Sequence, residues 1–453
     1  MSNSVDEIFG IISAASTLSE DGTINLDVLR GQLLPTLKAT STQVFLEISS
    51  EGDPLTRLDP VRESLGYLYF LTTRCLEGKP DVNQLLPLVI RFIETCDAKQ
   101  IQLAPEQFSL FGDILSRFAT ALGKPVISVN PLIAAINKLA VSPTHLTKLH
   151  PILAKECLLS KCYRAALPIL DHDISEIEPE QYAINIQDYL LYHYYGGMIY
   201  IGLKRFERAL EFLSLAISAP ANAVSTIQLE AYKKYTLVSL ILRGKVEPPP
   251  KCISIIVHRT FKSTCTPYVT FSQAFEGSNV KRVQAEYAKI RTSFIQDRNN
   301  GLAKQSIQAL YRRNIQKLTQ TYLTLSLADI AEAVGIEGPN AAKLAEKYIL
   351  EMIDNNEIHA TIDHRHAGGM VSFVDEESSR YLNAETLELL NDKFVAAARL
   401  QERVSYMDKA ISLNKEYLSK SSQLGSSLVD AAVSMEGSDL MVYDGGFVDE
   451  GRF

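Results

Sequence analysis

TYLTLSLADIAEAVGIEGPNAAKLAEKYILEMIDNNEIHATIDHRHAGGMVSFV, Thr321 to Val374, is the stretch that decides the fold. Its first five residues, Thr321, Tyr322, Leu323, Thr324 and Leu325, are β-branched or aromatic in the main and read as a short strand. Ser326 with Asp329 three residues on marks a capped helix start, and LADIAEAV runs to Gly335 as its left-handed stop. Asn340 is a good N-cap for AAKLAEKYILEMIDNN, where Leu344, Tyr348, Ile349 and Met352 fall along one face. Ile358, Ala360 and Ile362 then alternate, HRHAGG turns the chain, and Met370, Val371, Ser372, Phe373 and Val374 form a second alternating strand. Strand, helix, helix, hairpin is the order of a winged helix, here over residues 321–376.

The hairpin raises a metal question. His364-x-His366, then Ser372 and Asp375, echoes the ligand pattern of a zinc isopeptidase. That pattern wants seven residues between the second His and the Ser; five intervene here. A glycine-rich hairpin tip also supplies neither a rigid frame nor a second shell. No metal and no other cofactor is expected.

A winged helix raises a nucleic-acid question as well. The second helix carries Lys343 and Lys347 against Glu346, Glu351, Asp354 and Glu357, with no Arg. Phosphates would repel it, and it has no bidentate reader of guanine. Residues Gly301 to Ala328 are the reverse: Lys304, Arg312, Arg313 and Lys317, with no acid. An acidic protein partner or a plain solvated face is the expectation there, with a nucleic-acid face through Arg312 and Arg313 as the rival.

Beyond the wing, residues 384–418 read as one long helix. Leu390, Phe394, Ala397, Leu400, Val404, Met407 and Ile411 make a continuous apolar stripe over about three heptads. It could fold back on its own domain; the reading taken is a bundle with helices of other chains. The tail, 419–453, has seven Ser, five Gly and six acids against two basic residues and is expected to be disordered. Tyr443, Phe447 and Phe453 could serve there as a docking motif.

Upstream of the wing, apolar residues recur at three and four, with turns at Gly, Pro, Asp and Asn. The fold class is mostly α: a helical-repeat solenoid, the winged-helix module, then the bundle helix. The N-terminal repeats are placed at 1–180 and a second helical part at 181–320. KCYRAALPIL (Lys161 to Leu170) and KRFERALEFL (Lys204 to Leu213) are copies 43 residues apart. The second copy, with Gly197, Tyr200, Ala209 and Ala216, is tetratricopeptide-like, and such units stack into a solenoid because none buries its apolar face alone. The five tyrosines of DYLLYHYYGGMIY (Asp188 to Tyr200) are expected to fill interhelical grooves, with Gly196 and Gly197 allowing close approach.

Bulk properties agree. The chain has 453 residues, 46% hydrophobic and 22% charged, with a net charge of −8, which argues against a broad nucleic-acid surface. Six cysteines without C-x-x-C spacing read as buried thiols of a reducing compartment. MSNSVDEIFG lacks the marks of a signal peptide, and the longest apolar runs fall short of a membrane span of about 20 residues. Cytoplasm and nucleus are the expected locations. There is no Gly-rich phosphate loop, no nucleophile elbow and no convincing acid pair, so no enzyme is expected.

Helical repeats leading into a C-terminal winged helix resemble the PCI-domain family, shared by the proteasome lid, the COP-9 signalosome and a translation initiation factor. The stretches LSKCYRAALPILDHDI (Leu159 to Ile174), YYGGMIYIGLKRFERAL (Tyr194 to Leu210), LEAYKKYTLVSLI (Leu229 to Ile241), LYRRNIQKLTQTYLTLSLADIA (Leu310 to Ala331) and AEKYILEMI (Ala345 to Ile353) resemble a PCI subunit of the signalosome, over about residues 60 to 415. A subunit of the proteasome lid is the alternative. The resemblance implies a non-catalytic scaffold in a complex that removes Nedd8 from cullins of cullin-RING ubiquitin ligases, with the zinc site on a different subunit, a metalloisopeptidase. It also implies assembly through winged-helix sheet edges, here 321–325 and 370–374, and through bundled C-terminal helices.

Overall fold

The computed structural model describes residues 5–16, 25–47, 52–77, 81–220, 223–248, 250, 253–365, 369–373, 384–415 and 417–419. Two compact units result, Met1–Phe373 and Val374–Phe453. The expected tail at 419–453 lies almost wholly outside the described residues, as do His366 and Val374.

The first unit has one continuous apolar core, from Val5 to Phe373. The expected division at residue 180 is not a break in packing: the Ile186–Gly202 helix packs on both Leu149–Ser160 and Phe206–Ser218. Helix starts carry side-chain caps. Asp53, Asp81 and Asp97 each accept from a backbone N–H two residues on, and Ser225 with Gln228 forms a capping box for Thr226–Arg243.

The 43-residue repeat is real at its turn and partial beyond it. Lys161 and Lys204 both take left-handed backbone, at φ 58° and 59°. In each copy the next amide reaches back five residues, Cys162 to Cys157 and Arg205 to Tyr200, closing a Schellman turn. Ala166 and Leu170 are buried like their counterparts Ala209 and Leu213. The second helix differs. Phe206–Ser218 is thirteen residues long, whereas the first copy has only a 3₁₀ turn, Tyr163–Ala166, and the short helix Leu167–Leu170. Pro168, which has no N–H, starts that short helix, and the chain leaves it at Asp171.

The tyrosine stripe packs between helices. Tyr192 and Tyr200 are fully buried, and both meet the Phe212 ring. A Cβ on Gly196 would stand 2.6 Å from Phe212 Cδ1, and one on Gly197 2.9 Å from Leu213 Cγ. The missing side chains therefore set how closely Phe206–Ser218 approaches. Two imidazoles share this core. His150 accepts the Thr147 amide at Nδ1 (3.0 Å), and His193 Nδ1 lies 2.9 Å from the Tyr189 carbonyl oxygen. Burial lowers the pKa of both to about 4.

The second half turns on polar fastenings. Lys233 reaches Glu230 (2.7 Å) and Asp297 (2.8 Å); Tyr268 donates to Asp297 (2.8 Å) and accepts from buried Asn299 (2.9 Å). This node holds the turn between Val280–Gln296 and Asn300–Thr319 against Thr226–Arg243. The guanidinium of Arg313 donates to the carbonyls of Arg243 (2.7 Å) and Leu242 (2.6 Å), closing the C-terminus of Thr226–Arg243, where Gly244 is left-handed.

Residues 324–373 form the winged helix: β1 (Thr324–Ser326), helices Leu327–Val334 and Ala341–Asp354, then β2 (Ala360–Asp363) and β3 (Met370–Phe373). Ser326 caps the first helix, accepting from the Asp329 amide, and Gly335 ends it at φ 80°. Asn340 stands before the second helix but makes no side-chain cap. Leu344 does not share the buried face of Tyr348, Ile349 and Met352; Ala345 completes that face, and Leu344 is exposed.

Candidate assembly surfaces

The sheet has the order β1-β3-β2, antiparallel throughout. Leu325 and Ile362 both pair with Val371, from opposite sides. The strand Met370, Val371, Ser372, Phe373 is therefore central, not an edge as expected. Its own backbone groups are taken up on both flanks, and Val371 and Phe373 point into the core. Among the described residues the free edges are the outer sides of β1 and β2, and β2, Ala360 to Asp363, was not anticipated as one.

The first expected edge is shorter than read. Thr321 and Tyr322 donate to the Leu318 carbonyl and so finish the preceding helix. Leu323 lies outside the strand, but its carbonyl accepts from the Phe373 amide at 2.8 Å. Thr324 and Leu325 are in β1. Leu323 is 74% exposed and Tyr322 46%, so an apolar corner flanks the β1 edge. β1 and β2 are only three and four residues long, the short-edge form that folded sheets use to avoid uncontrolled pairing.

The second surface is the helix Ala384–Leu413, 30 residues and about 45 Å at 1.5 Å per residue. Leu390, Phe394, Ala397, Leu400, Val404, Met407 and Ile411 are all exposed on it. The apolar surface is wider than the expected stripe: Leu387, Leu389, Val395, Tyr406 and Leu413 are exposed too. An isolated helix of this kind is marginal in water, since packing supplies most helical stability. Each large apolar side chain gains about 1.5–3 kcal/mol when fully covered.

The charged residues singled out in the sequence have internal work. Arg312 pairs with Glu351 (2.5 Å) and Glu357 (3.7 Å), so it ties the helical part to the winged helix. Arg313 is the helix cap described above. A nucleic-acid face through these two side chains would have to break both fastenings. At the hairpin, His364 Nε2 lies 3.3 Å from Glu346 Oε1.

The structure gathers metal-capable side chains elsewhere among the described residues: His145, Glu176 and Glu178. Two crossing segments bring them together, with Leu146 donating to the Glu176 carbonyl and Glu176 to that of Thr144. His145 Nε2 is 2.8 Å from Glu176 and 3.9 Å from Glu178, but its buried Nδ1 has no hydrogen-bond partner among the described residues. A metal-bound imidazole is ordinarily oriented by a bond at its other nitrogen. The trio reads as a polar contact that pins the two segments.

Comparison with known proteins decides among the PCI complexes. A family model for the N-terminal helical repeats of COP9 signalosome complex subunit 3 matches residues 32–257, and one for the PCI domain matches 287–373. COP9 signalosome complex subunit 3 of Arabidopsis thaliana is 39% identical over 421 residues, 92% of this chain and 94% of the relative. The chain belongs to the COP9 signalosome subunit 3 family. The Dictyostelium discoideum member is 38% identical over 368 residues, 81% of this chain and 86% of its own length. Against the subunit 3 architecture, the PCI match ends on Phe373, the last residue of β3, and the Ala384–Leu413 helix lies beyond both family models.

Proposed function

We propose that the chain is a non-catalytic assembly subunit of the COP9 signalosome, held in place by its C-terminal helix and by the outer edges of β1 and β2. The observation that carries this reading is the exposure of apolar residues along Ala384–Leu413, beyond a unit whose own core is closed at Phe373. Its partners on this reading are other PCI subunits, through helix and sheet edges, and more remotely the zinc isopeptidase subunit and the cullin-RING ligases from which Nedd8 is removed. No catalytic role falls to this chain. Cytoplasm and nucleus are the compartments proposed, in keeping with five free thiols among the described residues.

Reconstitution tests the reading. A chain ending before residue 384, mixed with the remaining subunits, is expected to keep its Tm but to migrate apart from the complex on size exclusion. Phe394→Asp with Val404→Asp in the full chain should act the same way. Co-migration of both variants at wild-type stoichiometry overturns the bundle assignment.

A further inference from the structure

Arg30, Lys38, Glu106, Lys148 and Glu180, all in the helical repeats, have no ionic partner among the described residues. They are not scattered, because two adjoining cavities gather all of them. The first, about 560 Å³, is lined by Arg30, Lys38, Glu106 and Glu180. The second, about 580 Å³, shares Glu106, Gln107 and Glu180 with the first and adds Lys148. The shared residues make the two a continuous groove, with cations toward either end and the two glutamates between them.

The elements account for the separation of the charges. The helix Ser64–Glu77 packs on Leu34–Ala39 and Thr42–Leu46 as well as on Pro105–Ala121, and the first cavity opens over its Tyr69 and Thr73. Arg30 and Lys38 come from Leu29–Leu33 and Leu34–Ala39, Glu106 and Glu180 from Pro105–Ala121 and Pro179–Tyr182. Opposite charges therefore line one cleft without closing to ion-pair distance. Tyr69 is an independent sign. It is only 7% exposed, yet its hydroxyl makes no hydrogen bond among the described residues. A tyrosine hydroxyl so deeply buried ordinarily has a partner. Burial first, and the charge of Glu106 second, raise its pKa to about 12. The hydroxyl thus keeps its proton near that carboxylate, and its oxygen is free to accept.

We propose that this groove docks an extended segment of another protein through a central arginine with acidic residues on both sides of it. The guanidinium fits between Glu106 and Glu180, whose carboxylates match its fork of N–H donors, and the Tyr69 oxygen takes a further N–H. Phe45 and Leu103 line the same cavity and give the methylene stem apolar surface. The flanking acids then meet Arg30 and Lys38 toward one end and Lys148 toward the other. A nucleic acid is a poor occupant, because its phosphates would face the two glutamates at the centre. The groove shares no residue with the sheet edges or the C-terminal helix, so the inference does not depend on the assembly reading.

The test uses the full chain and two labelled peptides read by anisotropy. The probe is Glu-Glu-Leu-Ala-Arg-Ala-Leu-Glu-Glu; its counterpart has the charges exchanged, Arg-Arg-Leu-Ala-Glu-Ala-Leu-Arg-Arg. The chain's net charge of −8 draws the counterpart by long-range attraction, so tighter binding of the probe, the result expected, comes from the local order of charges in the groove. Glu106→Gln with Glu180→Gln should weaken the probe at least ~10-fold, in line with hydrogen bonds to charged groups. Tyr69→Phe should weaken it ~3-fold, the range of a single hydrogen bond. Both variants should keep a Tm at or above that of wild type, since none of the altered groups has a partner in the fold. Glu276→Gln with Glu332→Gln, on other surfaces, should leave binding unchanged. The proposal is overturned if the probe does not bind, if either groove variant binds it as wild type does, or if the exchanged peptide binds as tightly.

Discussion

His150 and His193 are core residues whose protonation the fold opposes. Desolvation lowers each pKa from 6.5 to about 4, partly offset by backbone contacts at Thr147 and Tyr189. A base whose pKa is depressed on folding binds fewer protons in the native state than in the unfolded one. Its contribution is therefore complete above pH 6.5 and is lost as pH falls from 6.5 toward 4. At about 1.4 kcal/mol per unit, the loss is on the order of 3 kcal/mol for each imidazole. Urea unfolding between pH 8 and pH 4 should show stability flat at the alkaline end and falling across that window. His193→Phe should remove roughly half of the slope, and an unchanged slope would mean that His193 is not a source of it. Their burial was only half legible. Tyr192 and Tyr200, with Gly196 and Gly197, pointed to a tightly packed helix pair. Nothing in periodicity marked His150, which lies in a different helix and meets Tyr192 only through the fold.

Elements were legible where local chemistry specifies them. Ser326 as a cap, Gly335 as a stop and the alternation of Ile358, Ala360 and Ile362 each act within a few residues, and the winged-helix order followed from them. The order of the strands did not. Val371 and Phe373 alternate inward whether β3 is central or at an edge, so only the pairing of Leu325 and Ile362 across Val371 tells the two apart. Arg313 was missed for a related reason: in sequence it is one cation in a run without acids, and only the fold brings the end of Thr226–Arg243 to it. Arg313→Met, which keeps the stem and removes the donors, should cost about 1–2 kcal/mol in urea unfolding, in line with hydrogen bonds to a charged group. Arg313→Lys should recover part of this. A Met variant as stable as wild type would show that water replaces the cap.

At the scale of the whole molecule, two kinds of surface stand in contrast: a unit with one continuous apolar core, and a helix whose apolar residues are exposed along its length. That contrast was readable from the stripe Leu390 to Ile411. The breadth of the exposed surface was not, because Leu389, Tyr406 and Leu413 fall out of phase with it.

The left-handed turns have a consequence for how the molecule is cut. Trypsin takes its substrate as an extended strand. Lys161, Lys204 and Arg298 are exposed yet held at positive φ by Schellman bonds, a shape that the protease cleft does not accept without local opening. Arg399, Arg403 and Lys409 sit on a helix whose large apolar side chains are exposed. Brief digestion of the free chain followed by peptide mass mapping should release fragments at the latter three and none at the former. Early cleavage at Lys161 or Lys204 would mean that those corners breathe more than their geometry suggests, and a nick pattern that fades on assembly would trace the outline of the complex on the chain itself.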